Sequence, residues 1–314
     1  MKKRSISNEL LEMLKTGIFK PIVDIVKVDP YLDLELRGCD GVTIYYRGGK
    51  ILTIKDPSFN QNATELELLS GLDPKYSNEE KSKHEIPVPH LSDMLSYFAK
   101  AKHVVDMYEE NVVKHLGEKE IQQRVVYENN LSVNSEDTEY FIADIEWEDT
   151  DLLGGRADIV AFRWVRTNTR RKKQLELNLI EVKQGTDSIR GKNGLNKHFN
   201  DFCSFRSNNE YVKEVSADMF VVLKQKTSLG LIKELSTLFI EGDTTITPDI
   251  IIPEPVFVFL LANYHHYSKN LKDECQKLPD ESKFFLSSLM GYGLYKHFIL
   301  SKKELIEKWP FIFE

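Results

Sequence analysis

Two runs that read as buried strands carry charge where a buried strand should have none. The first is Gly155-Arg156-Ala157-Asp158-Ile159-Val160-Ala161-Phe162, and the second is Asn178-Leu179-Ile180-Glu181-Val182-Lys183-Gln184-Gly185. Acids and lysine are costly inside a sheet unless they are paired or put to use. Side chains on a strand repeat every second residue, so Glu181 and Lys183 share one face while Ile180 and Val182 point into a core on the other. An Asp from the adjacent strand completes a cluster of two carboxylates and one ammonium. A chain with this pattern must form a sheet that is apolar on one side and carries that cluster on the other.

The residue types define a chemistry. Hard divalent cations take oxygen ligands, commonly one or two carboxylates supplemented by water and substrate oxygens, so Asp158 and Glu181 suffice for an open Mg²⁺ or Mn²⁺ site. Such an ion lowers the pKa of bound water and stabilises charge developing on a phosphodiester under attack. Lys183, two residues from one acid, is placed to position water and neutralise the scissile phosphate. It could act as a base only with its pKa depressed. Glycoside hydrolysis would use the carboxylates but leave Lys183 without a role. No serine nucleophile elbow or dinucleotide fingerprint is present.

The order Asp158, basic hairpin, Glu181-Val182-Lys183 on an apolar strand resembles the PD-(D/E)XK nuclease superfamily, over roughly residues 90 to 262. Ala157 stands where the motif's name has proline. The resemblance implies a restriction-endonuclease-like core: an α/β fold whose mixed central sheet is flanked by helices. It also implies metal-dependent hydrolysis of phosphodiester bonds, with DNA the expected polymer, Asp158 and Glu181 as metal ligands and Lys183 as the third catalytic residue. In that superfamily the first core helix often brings a Glu to the metal. Here a long helix is predicted from Ser92 to Leu116, and Glu109 lies about 40° from Val105 on its apolar stripe at 3.6 residues per turn. Glu109 is therefore the candidate third ligand, or else an acid at the stripe's edge beside a lysine. Asp144 and Glu146, on the strand expected over 140 to 147, read as acids of an outward face, the alternative being a contribution to the metal site.

Charge is distributed unevenly. The chain of 314 residues has a formal net charge of −7, yet 11 basic residues against 4 acidic ones lie between Arg156 and Lys197. A basic patch around the acid cluster on an otherwise acidic body would draw a polyanion to the chemistry. The candidate phosphate contacts are Arg166, Arg170, Arg171, Lys172 and Lys173 on the hairpin, and Arg190, Lys192 and Lys197 beyond it. Helix 193 to 206 follows the motif, and the resemblance puts Lys197 or His198 near phosphate. Backbone contacts confer affinity without sequence information. A catalytically silent module that binds nucleic acid or a partner protein is the alternative.

Composition sets the remaining bounds. A hydrophobic content of 41% with 11% aromatics excludes a disordered chain. Cys39, Cys203 and Cys275 are far apart, odd in number and without zinc spacing, which suits a reducing cytoplasm. Charged residues interrupt any amino-terminal signal, and no apolar run is long enough for a membrane span. The expected organisation is a β-rich module over 1–72, with Ser7 capping a helix and strands over 22–28, 32–37, 42–46 and 51–55. A linker over 73–90, the nuclease-like domain over 91–262 and a helical extension over 263–314 follow. Within the domain, strands are also expected over 121–127 and 218–224. One site per chain implies a homodimer if both strands of a duplex are cut.

Overall fold

The computed structural model describes residues 2–60, 63–64, 67–76, 90–112, 117–148, 156–165, 174–185, 188–233, 235, 247–262, 269–287 and 291–308. It is a mixed α/β protein with two sheets. The chain divides into two compact units, one of residues 2–127 with 221–241 and one of 128–220 with 242–314.

The first unit opens with α1 (Asn8–Lys15), capped by the Ser7 hydroxyl, which accepts from the Leu10 amide. Next comes α2 (Lys20–Val28), where a strand was expected. Pro21 presets the first turn, and Ile22, Val23 and Val26 are buried at helical spacing, so the β-branched run packs as one helix face. Strands β1 (Leu32–Leu36), β2 (Val42–Tyr46), β3 (Gly49–Ile54) and β4 (Leu69–Ser70) form an antiparallel sheet in chain order. Helix α3 (Met94–Val112) was expected to open the second domain. It packs instead on this sheet: the Tyr97 hydroxyl donates to the Ile51 carbonyl, and Asp106 accepts from Tyr46 at 3.0 Å and Arg47 at 2.9 Å. Residues 121–127, read as a strand, lie in helix α4 (Glu118–Asn130), where Glu120 pairs with Arg124 one turn on.

The β1–β2 connection depends on Gly41. Its φ is +89°, and a Cβ there would lie 2.0 Å from the Ile54 carbonyl oxygen. Backbone cannot yield as a side-chain tip can, so Gly41→Ala should cost about 3 kcal/mol or more in urea denaturation. An unchanged midpoint would show that this crossing is not rigid.

The second unit holds a six-stranded mixed sheet. Strands β5 (Tyr140–Glu148), β6 (Arg156–Val165) and β7 (Gln174–Gln184) form an antiparallel meander. Helices α5 (Leu195–Ser207) and α6 (Asn209–Ser228) then lead to β8 (Ile251–Ala262), parallel to β7. Residues 218–224, read as a strand, belong to α6, where Val212, Val215, Met219 and Val222 recur at helical spacing and are buried. Past α7 (Lys269–Lys277), the expected helical extension contributes β9 (Lys283–Leu286), parallel to β8, and β10 (Leu300–Ser301), antiparallel to β9, before α8 (Lys302–Lys308). Phe284 and Leu286, within the expected helical extension, are strand residues. Phe199 and Phe202 of α5 pack on Phe257 of β8, the latter stacked at 5.0 Å between ring centroids. No helix among the described residues is long and apolar enough to cross a membrane.

Candidate active site

The site is built where the β6–β7 ladder ends. Regular pairing runs from Val165↔Gln174 to Ile159↔Ile180. One step further the strands part, and the Asp158 carboxylate takes the Val182 amide, Oδ2 to N 2.7 Å. Asp158 thus satisfies a strand donor that the ladder has abandoned. Continuing the register sets Asp158 beside Glu181 on the same sheet face. On the other side, the pairs Ile145↔Ile159 and Trp147↔Ala157 set Glu146 across from Asp158.

Three of the sequence-derived candidates therefore meet. Asp158, Glu181 and Lys183 are 4%, 3% and 6% exposed. Lys183 Nζ donates to Glu181 Oε1 at 2.6 Å, and His198 Nε2 lies 3.1 Å from the same oxygen. Burial raises the Asp158 carboxyl well above the usual range, and the Glu181 charge raises it further; the Val182 amide and the Lys183 ammonium oppose the rise, and Glu146 adds to it. Asp158 and Glu181 are thus two buried acids whose charges disfavour one another, with the Lys183 ammonium held on Glu181.

A cation here would be held by the two carboxylates, completed by water and phosphate oxygens, the open arrangement that suits Mg²⁺ or Mn²⁺. Among the described residues, no group of three or more His, Cys, Asp or Glu side chains is arranged to hold a metal ion. The side chain of Glu109 lies outside the described residues, and its helix α3 groups with the first unit.

The basic candidates divide. Arg166, Arg170, Arg171, Lys172 and Lys173 lie outside the described residues. Arg190 donates to Asn270 Oδ1 and approaches Glu274 at 3.9 Å, so it ties its loop to α7. Lys192 is exposed, and Lys197 pairs with Asp201 at 2.5 Å on α5. Asp144, read as outward-facing, is fully buried.

Two residues gain importance from the structure. Glu146 has φ +53°, in the left-handed region that a glutamate in a strand rarely adopts, just past a bulge between Ile142 and Asp144. His198 reaches Glu181 because α5 packs on β8, a long-range contact that no local pattern announces.

Comparison of the chain with protein-family models, with curated proteins and with solved structures gives no match in any of the three.

Proposed function

We propose that this protein is a metal-dependent nuclease that hydrolyses phosphodiester bonds, with DNA as substrate. The observation that carries this reading is the convergence of Asp158, Glu181 and Lys183 at one buried point where two adjacent strands separate. The order of elements supports a restriction-endonuclease-like core of the PD-(D/E)XK type: three antiparallel strands, helices, then a strand parallel to the third.

Asp158 and Glu181 would hold a divalent cation, Mg²⁺ or Mn²⁺, which when bound supplies a polarised water and charge neutralisation at the phosphate. The chain's own residues do the remaining work. The Val182 amide fixes one oxygen of Asp158 and so sets the direction of the other. Lys183 leaves its contact with Glu181 to donate to a phosphate oxygen, holding the scissile group against the attacking water. Exposed Lys192 and the hairpin residues would contact the flanking backbone, which gives salt-dependent affinity without base readout. Cutting both strands calls for two copies, hence a homodimer on the substrate.

One observation favours a silent binding module instead: Glu181 Oε1 is already engaged by Lys183 and His198. Incubation with linear duplex DNA separates the readings. Fragments should appear with Mg²⁺ or Mn²⁺ and disappear with excess EDTA. Cleavage no faster than that by Lys183→Ala would remove the enzymatic reading, and cleavage of RNA alone would remove DNA as the substrate.

A further inference from the structure

We infer that His198 is a positioning residue that holds the Glu181 carboxylate for the cation while Lys183 is released to the substrate; the inference rests on the nuclease reading. In the observed arrangement both donors use one oxygen, Lys183 Nζ at 2.6 Å and His198 Nε2 at 3.1 Å from Glu181 Oε1. An ammonium that must reach a phosphate cannot also be the fixed support of the acid beside it. The imidazole can be that support, because its place is set by packing rather than by charge.

That place follows from the helix start. Gly194 opens α5 where a Cβ would lie 2.6 Å from the Ile189 carbonyl, and the His198 amide bonds to the Gly194 carbonyl at 3.3 Å. His198 therefore sits in the first turn. Phe199 and Phe202, which follow it by one residue and by one turn, are buried against Phe257. Phe257 precedes by two residues Phe259, the register partner of Glu181, so both point to the face on which α5 lies. The aromatic contact fixes the helix, and the helix fixes the ring. A ring only 14% exposed in its side chain has few alternative rotamers. Because the Glu181 carboxylate can only accept, a hydrogen bond across this 3.1 Å separation would require the imidazole proton on Nε2. Partners of this kind orient metal-binding carboxylates, and their loss commonly weakens metal affinity or activity by about 10- to 100-fold.

Titration calorimetry with Mn²⁺ tests the assignment on wild type, His198→Ala, His198→Gln and Lys183→Ala, each checked for folding by thermal melting. His198→Ala should bind Mn²⁺ about 10-fold more weakly. His198→Gln, which keeps an amide donor at similar reach, should recover most of that loss, and Lys183→Ala should bind at least as well as wild type. Equal affinity for wild type and His198→Ala overturns the role of His198 and leaves the nuclease reading standing. A rise in KM for DNA without any change in Mn²⁺ affinity would make His198 a phosphate contact and likewise overturn it. If wild type takes up no Mn²⁺, the metal site falls and His198 with it.

Discussion

Lys183→Ala and Asp158→Asn should each abolish DNA cleavage, by at least about 100-fold, yet shift the stability of the metal-free protein in opposite directions. Removing Lys183 takes away the ammonium 2.6 Å from Glu181 and leaves the two buried acids with only the Val182 amide and His198 described beside them. Breaking a buried pair in this way costs about 3 kcal/mol. Asp158→Asn has the opposite sign, because the amide oxygen can still accept from the Val182 amide while the charge that burial and Glu181 disfavour is gone. A gain of about 1 kcal/mol at pH 7 is expected, the usual trade of stability against activity at a functional site.

The pH dependence follows the same sign. Asp158 has a folded pKa above its unfolded value, so the unfolded chain gives up this proton first as pH rises. Wild-type stability is therefore lowered progressively once pH exceeds the unfolded value of about 3.9, and the loss levels off above the folded pKa. The advantage of Asp158→Asn should vanish below that lower limit and be complete above the upper one. Urea melts of the EDTA-treated proteins across pH 3–8 (a range of roughly five units around the carboxylate values) measure it. If Asp158→Asn retains cleavage, or is less stable than wild type at pH 7, the account of the site fails.

The second large effect lies in the first unit. Lys226, near the end of α6, is 1% exposed, and its Nζ donates to Glu35 Oε1 at 2.7 Å, Glu35 being wholly buried on β1. Arg37 stands 3.8 Å from the other Glu35 oxygen. The adjacent Gln225 side chain bonds to both the amide and the carbonyl of Ile6, so this helix end also fastens the amino-terminal segment. Lys226→Ala removes the closer cation and leaves the buried Glu35 charge with Arg37 at 3.8 Å, and a loss of about 3–5 kcal/mol is expected in urea denaturation. The double replacement Lys226→Met with Glu35→Leu should recover most of it, because a matched apolar pair removes both desolvation costs. A single variant as stable as wild type would mean that water reaches the pair.

The acid-and-lysine core of the site was legible because charge on an apolar strand conflicts with burial, and alternation alone assigns Glu181 and Lys183 to one face. Strands β1, β2, β3, β5, β6 and β7 were legible as short runs of strand-forming residues. Ile22–Val28, Ile121–Tyr127 and Asp218–Lys224 were misread as strands, since β-branched and aromatic runs favour strand locally and only one-sided burial at helical spacing decides otherwise. The C-terminal strands β9 and β10 were hidden in a pattern short enough to fit either period. Glu146 and His198 could be named from the sequence as polar residues near the site, but their partners, like the Lys226–Glu35 pair, depend on register or on contacts between distant segments, which local sequence does not carry.

Strand β7 meets its two neighbours on different schedules. Its partnership with β6 is local, joined by a hairpin, whereas β8 arrives only after α5 and α6 have been threaded between them. Short-range pairing closes far sooner than long-range pairing. Asp158, Glu181 and Lys183 should thus come together early during synthesis, and the His198 imidazole should dock last. A ribosome-bound chain halted before β8 would carry Asp158, Glu181 and Lys183 without the α5–β8 packing that brings His198 to them.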